Sequence, residues 1–192
     1  IKEKGSKVLA ISSIDGALYD PRGLDVDKLL ALREKHGDKA ILKYGKGQQI
    51  PRGKELEVEV DVLIPGATGD QITEKNMKNV KAKIIVEGAN FPTVDGAQKY
   101  FHEKGILLVP DFVANAGAVM GAGKAMDNRY SCDILEPQEV YDTVKRKMWK
   151  NVGMVLEESK RSKRLPREVA LAISQERVRK AMELRGRFPK KR

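Results

Sequence analysis

A chain of 192 residues, 41% hydrophobic and 33% charged, is long enough to bury one substantial core or two small ones. No apolar run approaches the roughly 20 residues of a membrane-spanning helix and nothing resembles a secretion signal, so the expected compartment is the cytoplasm. The formal charge of +10 raises nucleic acid as a partner, but the excess lies in the tail and along Lys145–Lys180, interleaved with glutamate, and only 5% of side chains are aromatic; solvated helix faces, Arg167 among them, are the better account.

In chain order, Val8–Ile11 is the first of four short, continuous, β-branched runs. It precedes "SSIDG". Val60–Ile64 precedes "PGATGDQ", Ile84–Val86 precedes "EGANFPT" and Ile106–Val109 precedes "PDFVANAG". Such runs read as strands buried on both faces of a parallel sheet, with helices crossing between them. "DVDKLLALREKHG" is a helix capped by Asp25 and stopped by Gly37, and "TVDGAQKYFHEKG" is another, from Thr93 to Gly105. His36 and His102 fall in last turns, where partial positive charge suits the carbonyl end, and neither sits at a strand's carboxyl end. Beyond residue 127 two long helices are expected, roughly 136–160 and 166–185, with Pro137 and Pro166 near their starts and apolar stripes that pack back on the sheet. The lone cysteine, Cys132, excludes an intrachain disulfide or a cysteine-based metal cluster; with no histidine near it in sequence, it reads as a half-buried thiol.

The stretch "NAGAVMGAGKA" has almost no side chain. It is not a phosphate loop, which would need glycine at position 118 and a hydroxyl at 125, where the chain has Ala118 and Ala125. No G-x-G-x-x-G follows the first run. In a parallel α/β sheet every strand's carboxyl end lies on one edge, so Ser13, Ala67, Thr68, Asn90 and Asn115 are expected to converge on one rim. Small side chains there would let a flat ligand approach the backbone, and the asparagine amides can both donate and accept.

"KVLAISSIDGALYDPRGLD", "DVLIPGATGDQITEKN", "KIIVEGANFPT" and "ILLVPDFVANAGAV", in this order and spacing, resemble the cofactor-binding domain of the glutamate/leucine/phenylalanine/valine dehydrogenase family, in the pattern of archaeal-type glutamate dehydrogenases. The likeness runs through "RVRKAMELRG". It implies an α/β, Rossmann-like, mostly parallel sheet with helices on both faces, lacking the first strand and glycine-rich turn, plus long C-terminal helices. Residues 1–127 would form the truncated dinucleotide-binding domain and 128–192 a helical segment packed on it. The resemblance implies NAD or NADP as cofactor. Ser13 would contact the adenosine ribose, Ala67 and Thr68 would lie beside the cofactor, Asn90 would face the nicotinamide ribose and Asn115 the carboxamide. Val119 and Ala122 would face an amino-acid substrate. Ser13 replaces the acid common in the family, which admits NADP, and Ala122 replaces the serine that binds glutamate's distal carboxylate in glutamate-specific members. Ala118 stands for a second glycine and Asp70 for an asparagine.

The family's catalytic lysine and aspartate belong to an earlier domain not represented in these residues. The expected whole is therefore an oligomeric amino-acid dehydrogenase in which this chain needs an N-terminal domain or complementary chain, and alone is poorly stable and inactive. The alternative is a catalytically inactive paralogue acting as a binding or regulatory subunit.

Overall fold

The structure is a computed structural model and describes residues 2–130 and 135–187; Cys132 and the last five residues of the basic tail lie outside the described residues. Two small sheets organise it. In the first, β1 (Ala10–Ser13) and β2 (Gly16–Tyr19) pair antiparallel with Ser13 opposite Gly16, so that only Ile14 and Asp15 make the turn. Gly16, at φ 148°, takes the backbone just past that turn into a region side chains disfavour. The chain continues through α1 (Val26–His36), α2 (Ala40–Lys43) and β3 (Gln48–Ile50), which is antiparallel to β2. Asp25 caps α1 by accepting from Lys28 N, and Gly37 ends it at φ 57°. Leu18, Leu24, Leu29, Ile41 and Tyr44 form the core of this unit.

The second sheet is parallel, in the order β4 (Val62–Leu63), β5 (Ile84–Val86), β6 (Leu107–Val109). Parallel neighbours need a crossover, and α3 (Asp95–Glu103) supplies it between β5 and β6. Successive side chains point to opposite faces. Leu63, Ile85 and Leu108 pack with Ile72, Ala97 and Phe101 on one face. Val86 and Val109 turn to the other, where they meet Val113, Val155, Val169 and Ala170. That second face is covered by α4 (Asp111–Ala114), α6 (Pro137–Ser162) and α7 (Pro166–Leu184), with α5 (Gly117–Asn128) lying against α6. Both long helices begin on proline, where the missing N–H costs nothing. His102 meets the carbonyl of Lys163 at 3.3 Å and so ties the end of α3 to the end of α6. Among the described residues, no helix is long and apolar enough to cross a membrane.

Two expectations are corrected. The first apolar run does not join the parallel sheet, because a two-residue turn returns the chain at once onto β2. And the small-residue stretch after "PDFVA", expected to be bare so that a flat ligand could approach its backbone, is a helix from Gly117 on. A Cβ on Gly117 would lie 3.2 Å from Val144 Cγ1, and one on Gly121 3.4 Å from Val140 Cγ1, so part of the missing side chain serves the close approach of α6.

Candidate functional site

At the carboxyl ends of β4, β5 and β6, three segments are laced together by their own backbones. Gly88 N and Ala89 N both donate to Pro65 O at 3.0 Å, Asp70 N to Phe91 O at 2.9 Å, Ile72 N to Pro92 O at 2.8 Å and Glu87 N to Val109 O at 3.1 Å. Gly88 permits this: an added Cβ would sit 3.3 Å from Ile64 Cγ2 and 3.4 Å from Gly66 Cα.

On this edge Asn115 Nδ2 donates to Asn90 Oδ1 at 2.8 Å and reaches Gly88 O at 3.5 Å. The contact leaves Asn90 Nδ2 and Asn115 Oδ1 without a partner among the described residues. Ala67 and Thr68 lie exposed on the neighbouring loop, where Ala67 N donates to Gln71 Oε1 at 3.3 Å. Val119 and Ala122, three residues apart on α5, are also exposed and share a face of the helix. Ser13 stands apart. At the end of β1, its hydroxyl donates to Asp38 O at 3.0 Å and accepts from Asp15 N at 3.1 Å, a local arrangement within the antiparallel unit.

Beneath the asparagines is a cluster that the sequence did not suggest. Glu87 follows β5 and Asp111 opens α4; their side chains are 0% and 4% exposed. Both face Arg167 of α7, which donates to Asp111 Oδ1 at 2.5 Å, to Glu87 Oε2 at 3.4 Å and, through Nε, to Gln98 Oε1 at 3.2 Å. The guanidinium lies 5.0 Å from the Phe91 ring centroid and 5.4 Å from that of Phe112, which shield it from water. Arg167 is thus not a solvated helix charge, as composition implied; its side chain is 18% exposed. Asp111 Oδ2 accepts from Phe91 N at 2.8 Å, and Glu87 Oε2 accepts from Asp111 N at 2.9 Å. Phe91 sits at φ 49°, a left-handed conformation that a phenylalanine adopts only when its surroundings hold it there. The available signal was an acidic residue at the end of two buried strands, which requires a cation from elsewhere in the chain.

Burial pushes the Glu87 carboxyl above its ordinary value. The nearby Thr93 hydroxyl, the Asp111 N–H and the Arg167 charge pull the other way, and the Asp111 charge adds to the rise. Glu87 Oε1 and Thr93 Oγ1 are buried with no well-formed hydrogen bond, so the hydroxyl relieves the carboxylate only weakly.

A parallel sheet covered on both faces, with paired carboxamides and small residues at its carboxyl edge, is an α/β domain of the kind that places ligands outside the strand ends. The chain belongs to the Glutamate/Leucine/Phenylalanine/Valine dehydrogenase family, whose model matches residues 1–186. It is 36% identical over 190 residues to a glutamate dehydrogenase of Aeropyrum pernix, covering 97% of this chain and 45% of that one. It is 33% identical over 188 residues to an NADP-specific glutamate dehydrogenase of Saccharolobus shibatae, covering 97% and 44%. The fold matches the hetero-hexameric glutamate dehydrogenase of Thermus thermophilus in its leucine-bound form with a TM-score of 0.83 at 27% identity, covering 98% of this chain and 44% of that one. The chain therefore spans just under half the length of these relatives.

Proposed function

We propose that this chain is the nicotinamide-coenzyme half of an amino-acid dehydrogenase that converts an L-amino acid such as glutamate to its 2-oxo acid. The observation that carries this reading is the 2.8 Å contact between Asn115 and Asn90, drawn from two crossover-separated segments onto one edge. The donor set fits the group. The contact fixes both amides and leaves one donor, Asn90 Nδ2, and one acceptor, Asn115 Oδ1, for a ribose hydroxyl and a carboxamide. Ala67 and Thr68 add no bulk on the adjoining loop.

In this reading, Asn115 orients the carboxamide and thereby selects the ring face offered to substrate, while Asn90 holds the adjoining ribose. When bound, the coenzyme supplies a hydride acceptor at its nicotinamide ring. Val119 lines the substrate side-chain pocket. Ala122 offers no hydroxyl to a distal carboxylate, which favours a less polar amino acid. Ser13 lies in the antiparallel unit with its hydroxyl taken by Asp38 and Asp15, so it offers no charge that would separate NAD from NADP, and the NADP-specific relative supports the second. Proton transfer falls to a lysine and an aspartate on a complementary domain, in an assembly of several copies.

The test is a fluorescence titration of the protein that carries this chain with NADH and with NADPH. Saturable binding of at least one, weakened in Asn115→Ala, is the expected result; a folded protein that binds neither overturns the reading. A second reading, a non-catalytic subunit, draws on Ala122 and on the hetero-hexameric make-up of the Thermus thermophilus relative. Coenzyme binding without turnover of any amino acid by the complete protein would favour it.

A further inference from the structure

One cation from the far end of the chain, Arg167, reaches both carboxyl groups beneath the asparagine edge. Asp111 is the common anchor. Its Oδ2 accepts from the N–H of Phe91, the residue after Asn90, and its backbone carbonyl accepts from Asn115 N at 2.7 Å. Its Oδ1 is held by Arg167. Glu87, which opens the segment carrying Asn90, accepts from Asp111 N and also faces Arg167. The only charge that can balance these two buried carboxyl groups at hydrogen-bond range, among the described residues, is therefore the Arg167 guanidinium, 56 residues beyond Asp111 and 80 beyond Glu87. Its fork is further fixed by Gln98, whose Nε2 donates to Thr93 O at 2.9 Å on the same segment as Asn90.

We propose that Arg167 of α7 is a positioning residue for the coenzyme site: through Asp111 and Glu87 it holds Asn90 and Asn115 at mutual hydrogen-bond distance, so that the nicotinamide end of the site depends on where α7 sits. The proposal rests on the coenzyme reading above. A planar fork suits the role because it engages Asp111, Glu87 and Gln98 at once while its face lies against Phe91 and Phe112. Without it, two desolvated carboxyl groups would lie side by side. Their repulsion would release the Phe91 N–H, and Phe91 would leave its left-handed conformation and carry Asn90 with it.

The experiment compares the intact coenzyme with its adenine half. In the protein that carries this chain, the dissociation constants of NADH or NADPH and of the matching ADP-ribose or 2′-phospho-ADP-ribose are measured for wild type, Arg167→Lys, Arg167→Met and Asp111→Asn. Arg167→Met is expected to raise the constant for the reduced coenzyme about tenfold, the loss of one well-aligned hydrogen bond, with the adenine fragment changed by less than about twofold. Arg167→Lys should recover part of the loss, since it keeps the charge without the fork. Asp111→Asn should follow Arg167→Met, and hydrogen exchange over residues 88–92 should quicken in both. If Arg167→Met fails to fold, Arg167→Lys and Asp111→Asn carry the comparison. Equal losses for coenzyme and fragment, or no loss in a folded variant, overturn the proposal. A wild-type protein that binds no coenzyme would instead remove the reading on which it rests.

Discussion

The antiparallel and parallel sheets begin from the same kind of sequence, a short β-branched run closing on small residues, and the two are put to different ends. Between β1 and β2 the chain turns within Ile14 and Asp15, so the residues at the strand end bond to their own neighbourhood, and the Ser13 hydroxyl is occupied by Asp38 and Asp15. Between β5 and β6 the chain makes a crossover through α3, so both strand ends open on the same side and Asn90 and Asn115 meet. The length of the connection, more than the strand itself, decides whether a strand end closes on itself or faces a shared edge.

The strongest way to break that comparison is through the scaffold. Phe101, fully buried against β5 and β6, should cost about 3–5 kcal/mol on replacement by alanine, read as a lowered urea midpoint. An unchanged midpoint would remove the parallel sheet as the support of the asparagine edge. Next in size is Asn115→Ala, which should leave the midpoint nearly unchanged but weaken reduced-coenzyme binding about tenfold, the equivalent of roughly 1.4 kcal/mol.

A pH series sharpens the contrast further, because Glu87 belongs only to the parallel unit. Its folded-state carboxyl is raised by burial, so the folded protein holds the proton more tightly than the unfolded chain does. The resulting stability is full below the ordinary carboxylate value and is lost as pH rises through the raised one. Glu87→Gln cannot titrate. Urea midpoints taken from mildly acidic to neutral pH should therefore show wild type losing ground to the variant as pH rises; a gap that stays constant would place the carboxyl at an ordinary value. The smallest effect is expected at Ser13. Ser13→Ala should change the affinity for either coenzyme by less than about twofold, since the hydroxyl already has two local partners and its loss is worth at most a weak hydrogen bond. A much larger loss, confined to NADPH or to NADH, would show that the antiparallel unit reaches the coenzyme after all.

Much of the scaffold was legible because its signals are local. The two long helices were expected at roughly 136–160 and 166–185 and occupy Pro137–Ser162 and Pro166–Leu184, marked by prolines and apolar stripes. Ile84–Val86 and the helix capped by Asp25 stand where their patterns put them. β2 and β3 were missed, since "GALY" and "QQI" are too short to alternate clearly and pair only through a turn and a distant return. At the site, Asn90 and Asn115 could be singled out because each follows an apolar strand in a segment of small residues. Glu87, Asp111 and Arg167 could not, because a charged residue looks the same in sequence whether water or a distant partner solvates it.

By itself, then, the sequence determined α1, α3, the two long C-terminal helices, the strands β4, β5 and β6 and the family, since caps, periodicity and motif order are properties of neighbouring residues. Only the tertiary structure decided that the first strand folds back on its own hairpin, that Gly117 and Gly121 make room for α6, and that Arg167 is drawn under the asparagine edge. Each of these depends on which surfaces meet across the chain, and burial turns an ordinary surface arginine into the counter-charge for two carboxyl groups that, among the described residues, have no other.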